Sequence, residues 1–157
     1  MPAKYTPEKR MTAFWAKVNK SGPVPEYAPE LGPCWLWLAG RHSAGYGYFG
    51  VGRRMVLAHR YAYQETRGPI PEGLEIDHLC RVRHCVNHEH LEPVIHRVNI
   101  LRGVGLTARE AKVTHCPQGH AYDEANTRSY RGGRRCRECQ RVWDRAYYAR
   151  KGAVARA

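Results

Sequence analysis

Six cysteines in a 157-residue chain fall into two groups, each accompanied by a histidine at metal-ligand spacing. This grouping constrains the fold more than any other feature. Cys80, Cys85 and His90 supply three soft or borderline ligands from one short loop. Structural zinc takes four such ligands in a tetrahedron, so a fourth must close the cage. Cys34 is the only other cysteine ahead of Cys116, and its segment can lie beside the loop; His84 and His88 are the competing candidates. The second group, Cys116-Pro-Gln-Gly-His120 followed by Cys136-Arg-Glu-Cys139, is a CxxxH…CxxC set with zinc-ribbon spacing. A core of about 100 residues buries limited apolar area, and a zinc site contributes on the order of 10 kcal/mol to folding. The expected molecule is therefore small and stapled in two places.

Charge narrows the partner. Lys and Arg number 26 against 14 Asp and Glu, a formal net charge of +12. Most of the cations are Arg, whose planar fork matches phosphate oxygens better than an ammonium does. A polyanion, nucleic acid above all, is the partner such a balance selects. The N-terminal stretch lacks the apolar run of a signal peptide, and no segment approaches the about 20 apolar residues of a membrane span. An intracellular setting with no membrane is expected, where cysteines serve as ligands rather than disulfides.

Local pattern outlines an α+β fold. Residues 1–10 read as a loose basic arm, and Thr12 to Lys20 as a short helix with Phe14, Trp15 and Val18 on its apolar stripe. The proline-rich run from Ser21 to Pro33 is a loop. Cys34 to Leu38 reads as a strand, with Cys34, Leu36 and Leu38 on one face and Trp35 and Trp37 on the other. Paired strands are expected around a turn at Gly52-Arg53, then a helix from Ala58 to Thr66 stopped by Gly68-Pro69. His59 reads as packing under Trp37 rather than meeting a phosphate. Short strands are expected at Gly73–Asp77 and Leu91–Val94, followed by a helix from Ile95 to Arg102. Four segments follow: an arm, helix and loop over 1–33, a core domain over 34–103, a connector with a helix-prone stretch over 104–114, and a zinc ribbon with a basic C-terminal helix over 115–157. On that helix Arg137, Arg141 and Arg145 recur every four residues and so share a face suited to phosphates. Arg53 and Arg54, on a tight turn, are further candidates for contact with a DNA backbone.

Asp77-His78 immediately precedes the first zinc loop, and Asn99 follows on the next helix. Hydrolysis of a phosphodiester needs an activated water and a counter-charge for the phosphorane and the leaving oxygen. A neutral imidazole can do the first. One Mg²⁺ can do the second, and it needs few protein ligands, all oxygen. His78, Asp77 and Asn99 match those needs. As neighbours on a strand, Asp77 and His78 point to opposite faces, so the strand must bend or end there if they are to converge.

Ile76-Asp77-His78, Cys85-Val-Asn87, His90-Leu-Glu-Pro and His96-Arg-Val-Asn99 together resemble the HNH endonucleases of the ββα-metal (His-Me finger) class. Cys34-Trp-Leu-Trp, Gly45-Tyr-Gly, Ala58-His-Arg, Gly68-Pro-Ile-Pro and the C-terminal ribbon extend the resemblance, to the small HNH enzymes of phage genomes, over residues 12–145. The zinc spacing is also similar to that of the His-Cys box homing endonucleases. The resemblance implies a ββα-metal core at 34–103 that cuts or nicks double-stranded DNA to leave 5′-phosphate and 3′-hydroxyl ends. It implies His78 as general base, Asp77 and Asn99 as ligands of Mg²⁺ or Mn²⁺, and Asn87 as a brace that orients the base. It also implies structural zinc on Cys34, Cys80, Cys85 and His90, and a second zinc on Cys116, His120, Cys136 and Cys139. The third letter of HNH is often a metal-binding histidine, which makes His96 a rival to Asn99. A two-fold homodimer would cut both strands, whereas a monomer would nick.

Overall fold

The structure, a computed structural model, describes residues 6–154, with side chains through residue 152. The chain divides into two compact units, residues 1–103 and 104–157, a division that places residues 104–114 with the ribbon. The first five residues of the expected arm lie outside the described residues.

The first helix, α1, spans Pro7–Trp15. It starts earlier than expected because Thr6 caps it, its hydroxyl accepting from the Lys9 amide, and Pro7 fits the first helical position. The expectation of a helix from Thr12 to Lys20 followed the apolar residues and missed this start signal. Val18 leaves the helix and joins strand β1 (Val18–Asn19), opposite Trp37 in β2 (Leu36–Trp37). The strand expected over 34–38 shortens to these two residues. Its predicted faces fail as well: Cys34 and Trp37 are both buried while Leu38 is exposed. The segment is held from both sides rather than in one ladder, with the Trp37 amide bonded to the His84 carbonyl and the Val86 amide to Trp35.

Strands β3 (Tyr48–Val51) and β4 (Arg54–Leu57) form a hairpin whose turn includes Gly52 at φ 63°. Helix α2 (Ala58–Arg67) follows without a break. Phe14 is the centre of the core. Its ring meets Trp37 at 4.8 Å, Phe49 at 5.0 Å and Tyr61 at 4.8 Å, with Ala58, Ala62 and Val86 completing the cluster. Gly47 lies so close to the Trp37 indole that an added Cβ would sit 2.4 Å from it, and the hairpin can seat there only on a glycine. Phe14→Ala is expected to cost about 3–5 kcal/mol of stability. Denaturant unfolding followed by tryptophan fluorescence tests this, and an unchanged midpoint would show that the core does not depend on that ring.

The functional segment is a strand, strand, helix unit. Strand β5 (Leu74–His78) pairs antiparallel with β6 (Leu91–Ile95) in unbroken register, and α3 (His96–Arg102) begins on the next residue. In the second unit α4 (Leu106–Lys112) buries Ala108, and β7 (Thr127–Tyr130) pairs with β8 (Gly133–Cys136). Arg131 and Gly132 between them both have positive φ, 49° and 77°, the backbone of a two-residue hairpin turn. Helix α5 (Arg137–Val154) leaves directly from β8. The composition is mixed α+β, with four two-stranded sheets and five α-helices among the described residues, and two Cys/His groups that could hold zinc.

Candidate active site and metal centres

Cys34, Cys80, Cys85 and His90 are all buried, and their ligand atoms lie within 4.8 Å of one another. His90 Nδ1 stands 3.7 Å from Cys34 Sγ and 3.6 Å from Cys85 Sγ. Zinc–sulfur and zinc–nitrogen bonds of about 2.3 and 2.0 Å make a tetrahedral S···N edge of about 3.5 Å, so the cage fits zinc. His90 Nε2 lies 2.7 Å from the Leu31 carbonyl. A carbonyl only accepts, so the ring proton sits on Nε2 and Nδ1 turns its lone pair to the cage. The competing ligands are elsewhere: His88 faces the Trp35 ring and the Glu89 carboxylate, and His84 is outside the cluster.

Asn87 braces this centre. Its amide nitrogen donates to the Pro33 carbonyl at 3.1 Å, and its oxygen accepts from the Glu89 amide at 3.1 Å. It thus ties the segment entering Cys34 to the turn carrying His90. Its expected second task falls to another group. His78 Nε2 lies 3.1 Å from the Cys85 carbonyl, and that bond orients the ring. By the same proton argument, Nδ1 of His78 keeps a free lone pair. The ring is buried, and burial pushes its pKa down to about 4, which keeps it neutral near pH 7.

His59 corrects the expectation that it packs under Trp37. It is buried against His78, ring centroids 4.6 Å apart, with Tyr46 5.4 Å away on another side. Its Nδ1 is buried without a hydrogen-bond partner. Burial first, then the neighbouring His78 and Arg60, push its pKa down to about 3.

Asp77 and His78 diverge, as strand neighbours must, because β5 stays regular up to its last residue, His78. Asp77 turns toward α3. Its Oδ1 accepts from Arg81 at 2.5 Å, and Arg102 of α3 stands 3.8 Å from Oδ2. Arg81, at φ 55°, also donates to the His78 carbonyl at 3.1 Å and so links the two residues. Asp77 Oδ2 is buried and makes no hydrogen bond, an open anionic oxygen of the kind a hard divalent cation takes.

Glu75, two residues before Asp77 and on the same strand face, was missed in the sequence. Its carboxylate accepts from Asn99 Nδ2 at 2.7 Å and lies 2.8 Å from His96 Nδ1. The bond from Asn99, and then that from His96, hold its pKa below the usual carboxylate value. Because Asn99 spends its NH₂ on Glu75, its carbonyl oxygen is the end left for a cation. His96 spends Nδ1 on the same carboxylate. The i, i+2 spacing of Glu75 and Asp77 was the available signal for this arrangement.

In the second unit Cys116, His120, Cys136 and Cys139 also converge within 4.8 Å. His120 Nδ1 is 3.5 Å from Cys116 Sγ, 3.3 Å from Cys139 Sγ and 3.6 Å from Cys136 Sγ, again zinc spacing. Asn126, another residue not singled out in the sequence, donates to Cys136 Sγ at 3.3 Å and accepts from the Glu138 amide at 3.0 Å. Arg137, Arg141 and Arg145 follow one another along α5, each exposed, with Arg141 bonded to Glu138 and Arg145 to the Arg141 carbonyl. Arg53 and Arg54 are exposed at the β3–β4 hairpin.

No helix among the described residues is long and apolar enough to cross a membrane. The sequence model of a family described as HNH endonuclease matches residues 56–100, from β4 through most of α3. Protein 7.7 of Escherichia phage T7 is 41% identical over 58 residues, 37% of this chain and 45% of that protein. The Uncharacterized gene 5.3 protein of Enterobacteria phage T3 is 35% identical over 68 residues, 40% of this chain and 67% of the relative. The chain thus spans less than half of the T7 relative and two thirds of the T3 one. No solved structure matches. The matched segment carries the Asp77-His78 strand, its partner strand, the zinc loop between them and Asn99, and on that agreement the chain belongs to the HNH endonuclease family.

Proposed function

We propose that the chain is a divalent-metal-dependent DNA endonuclease in which His78 is the general base and Asp77 and Asn99 hold one Mg²⁺ or Mn²⁺. The observation that carries this reading is the state of His78: buried, tethered through Nε2 to the Cys85 carbonyl, with Nδ1 free to take a proton. In the reaction Nδ1 takes a proton from water as the oxygen bonds to phosphorus. The bond to the 3′-oxygen breaks, and that oxygen leaves with a proton from solvent. A divalent cation, when bound, supplies positive charge to the phosphorane and the leaving oxygen. Asp77 Oδ2 and the Asn99 carbonyl are the oxygens that suit it. Arg81 and Arg102 beside Asp77 add charge for the phosphate. In-line displacement puts the entering water and the leaving oxygen on opposite sides of phosphorus. A base and a carboxylate on opposite faces of one strand end suit that separation. The +12 charge and the family both favour DNA as substrate.

One observation favours a second reading, a non-catalytic DNA-binding protein with two zinc centres: Arg81 already neutralises Asp77 Oδ1. Digestion of supercoiled plasmid in Mg²⁺, Mn²⁺ or Ni²⁺ separates the two. The nuclease converts it to nicked or linear DNA, and failure in all three metals would leave the binding protein. The same assay chooses the ligand on α3. Asn99→Ala is expected to raise the Mg²⁺ concentration for half-maximal cleavage by about 10–100-fold, the scale on which even residues one step removed from a metal act. His96→Ala should leave it near wild type, and the reverse pattern would assign the site to His96.

A further inference from the structure

The second unit carries an anion pocket that neither the family nor the chemistry at His78 requires. Register places Arg128 of β7 directly opposite Arg135 of β8, so the two guanidinium groups rise from one face of the hairpin. Like charges directly opposed across a hairpin are destabilising by themselves. Arg137 and Arg141 stand one helical turn apart at the start of α5. With Gln140 and Cys136, these four arginines line a single cavity of about 170 Å³. That is room for several waters, at about 30 Å³ each, and so for a tetrahedral phosphate group. No carboxylate lines it; of the two acids on α5, Glu138 is bonded to Arg141 at 2.5 Å and Asp144 accepts from Gln140 at 2.8 Å.

Other features fix which groups would bind. The first amides of α5 are already used: Arg137 N donates to the Asn126 carbonyl, Glu138 N to Asn126 Oδ1 and Cys139 N to Cys136 Sγ. The helix end therefore offers its dipole but no free donors. A zinc held by three thiolates and one imidazole carries a formal charge of −1, which four guanidinium groups outweigh. Arg137 is aimed by its bond from Nε to the Thr127 carbonyl. The pocket thus consists of four forked cations around a void, with Arg137 held to the Thr127 carbonyl, Arg141 to Glu138, and Arg135 over the Tyr130 ring at 4.1 Å.

We propose that Arg128, Arg135, Arg137 and Arg141 form a phosphate clamp that grips the backbone of duplex DNA independently of the cleavage centre. The choice of duplex DNA rests on the endonuclease reading above. The test uses the whole 157-residue chain in Ca²⁺, with binding to a duplex oligonucleotide followed by fluorescence anisotropy across a salt series. Arg128→Ala combined with Arg135→Ala should reduce the slope of log K against log salt by about 1.8, two contacts at about 0.9 each, and weaken binding at least tenfold near 0.1 M salt. Arg128→Lys with Arg135→Lys should keep the slope, because charge is retained. Zinc content of two per chain in each variant certifies the ribbon. An unchanged slope in the alanine variant with zinc retained overturns the clamp, while leaving the DNA reading intact. Tighter binding of duplex RNA than of DNA, lost in the same variant, overturns the assignment to DNA. If the wild type binds no duplex at low salt, the clamp and the DNA reading both fail.

Discussion

Replacing His78 by alanine should abolish plasmid cleavage while leaving duplex binding and zinc content close to wild type. Removal of a general base costs about 10²–10⁴ in rate. The imidazole sits where nothing replaces it: Nε2 is committed to the Cys85 carbonyl, and the adjoining His59 ring is itself buried. Some stability will be lost with the hydrogen bond to Cys85, about 1 kcal/mol for a neutral pair and more if the carbonyl is left dry. A thermal melt must therefore accompany the assay. A second readout separates a base from a structural ring. The substitution leaves a gap the size of an imidazole beside Tyr46 and His59, and added imidazole should restore part of the cleavage. Full activity in the alanine variant would remove His78 from the chemistry. Lost activity with a collapsed melting temperature and no rescue would make it a packing residue.

Much of this site was legible because its residues announce themselves by spacing. Cys80, Cys85 and His90 can close on one ion only if the chain between β5 and β6 loops back, and that loop forces the two strands into a hairpin. The helix after Ile95 and the turn at Gly52-Arg53 follow from similarly local signals. Three misreadings have a common cause: they concern which segment lies opposite, and that is set by tertiary packing. The His59 neighbours, Tyr46 and His78, come from separate elements, and helical periodicity gives a face without naming what the face meets. The carbonyl that holds His78 belongs to the backbone of Cys85, and no residue type marks it. The face pattern assigned to residues 34–38 assumed a long ladder, whereas two residues pair and the rest thread past the zinc loop. Two errors were avoidable. Thr6-Pro7 is a helix start in plain view, and Arg131-Gly132 between β-prone runs marks a hairpin that would have set Arg128 against Arg135.

Zinc bound by Cys34, Cys80, Cys85 and His90 should carry more of the stability of its unit than any other single feature. It joins three stretches of chain at one point: the loop ending at Cys34, the Cys80–Cys85 loop, and the turn that closes on His90. Loss of a structural zinc removes on the order of 10 kcal/mol, comparable with the 5–15 kcal/mol that holds a typical domain together. Cys85→Ala should therefore lower the metal content from two zinc ions per chain to one and unfold residues 6–103. Their tryptophans report the event, because Trp37 is buried in the core and Trp35 lies beside the zinc loop. Cleavage would vanish with the fold, since His78 is oriented by the backbone of the very residue replaced. Cys139→Ala should also reduce the metal content to one, yet leave the Trp37 signal intact, because that cage lies in the second unit. Should Cys85→Ala retain the near-ultraviolet signature and melting temperature of the wild type, the cage would be dispensable, and the aromatic cluster around Phe14 would have to hold the unit alone.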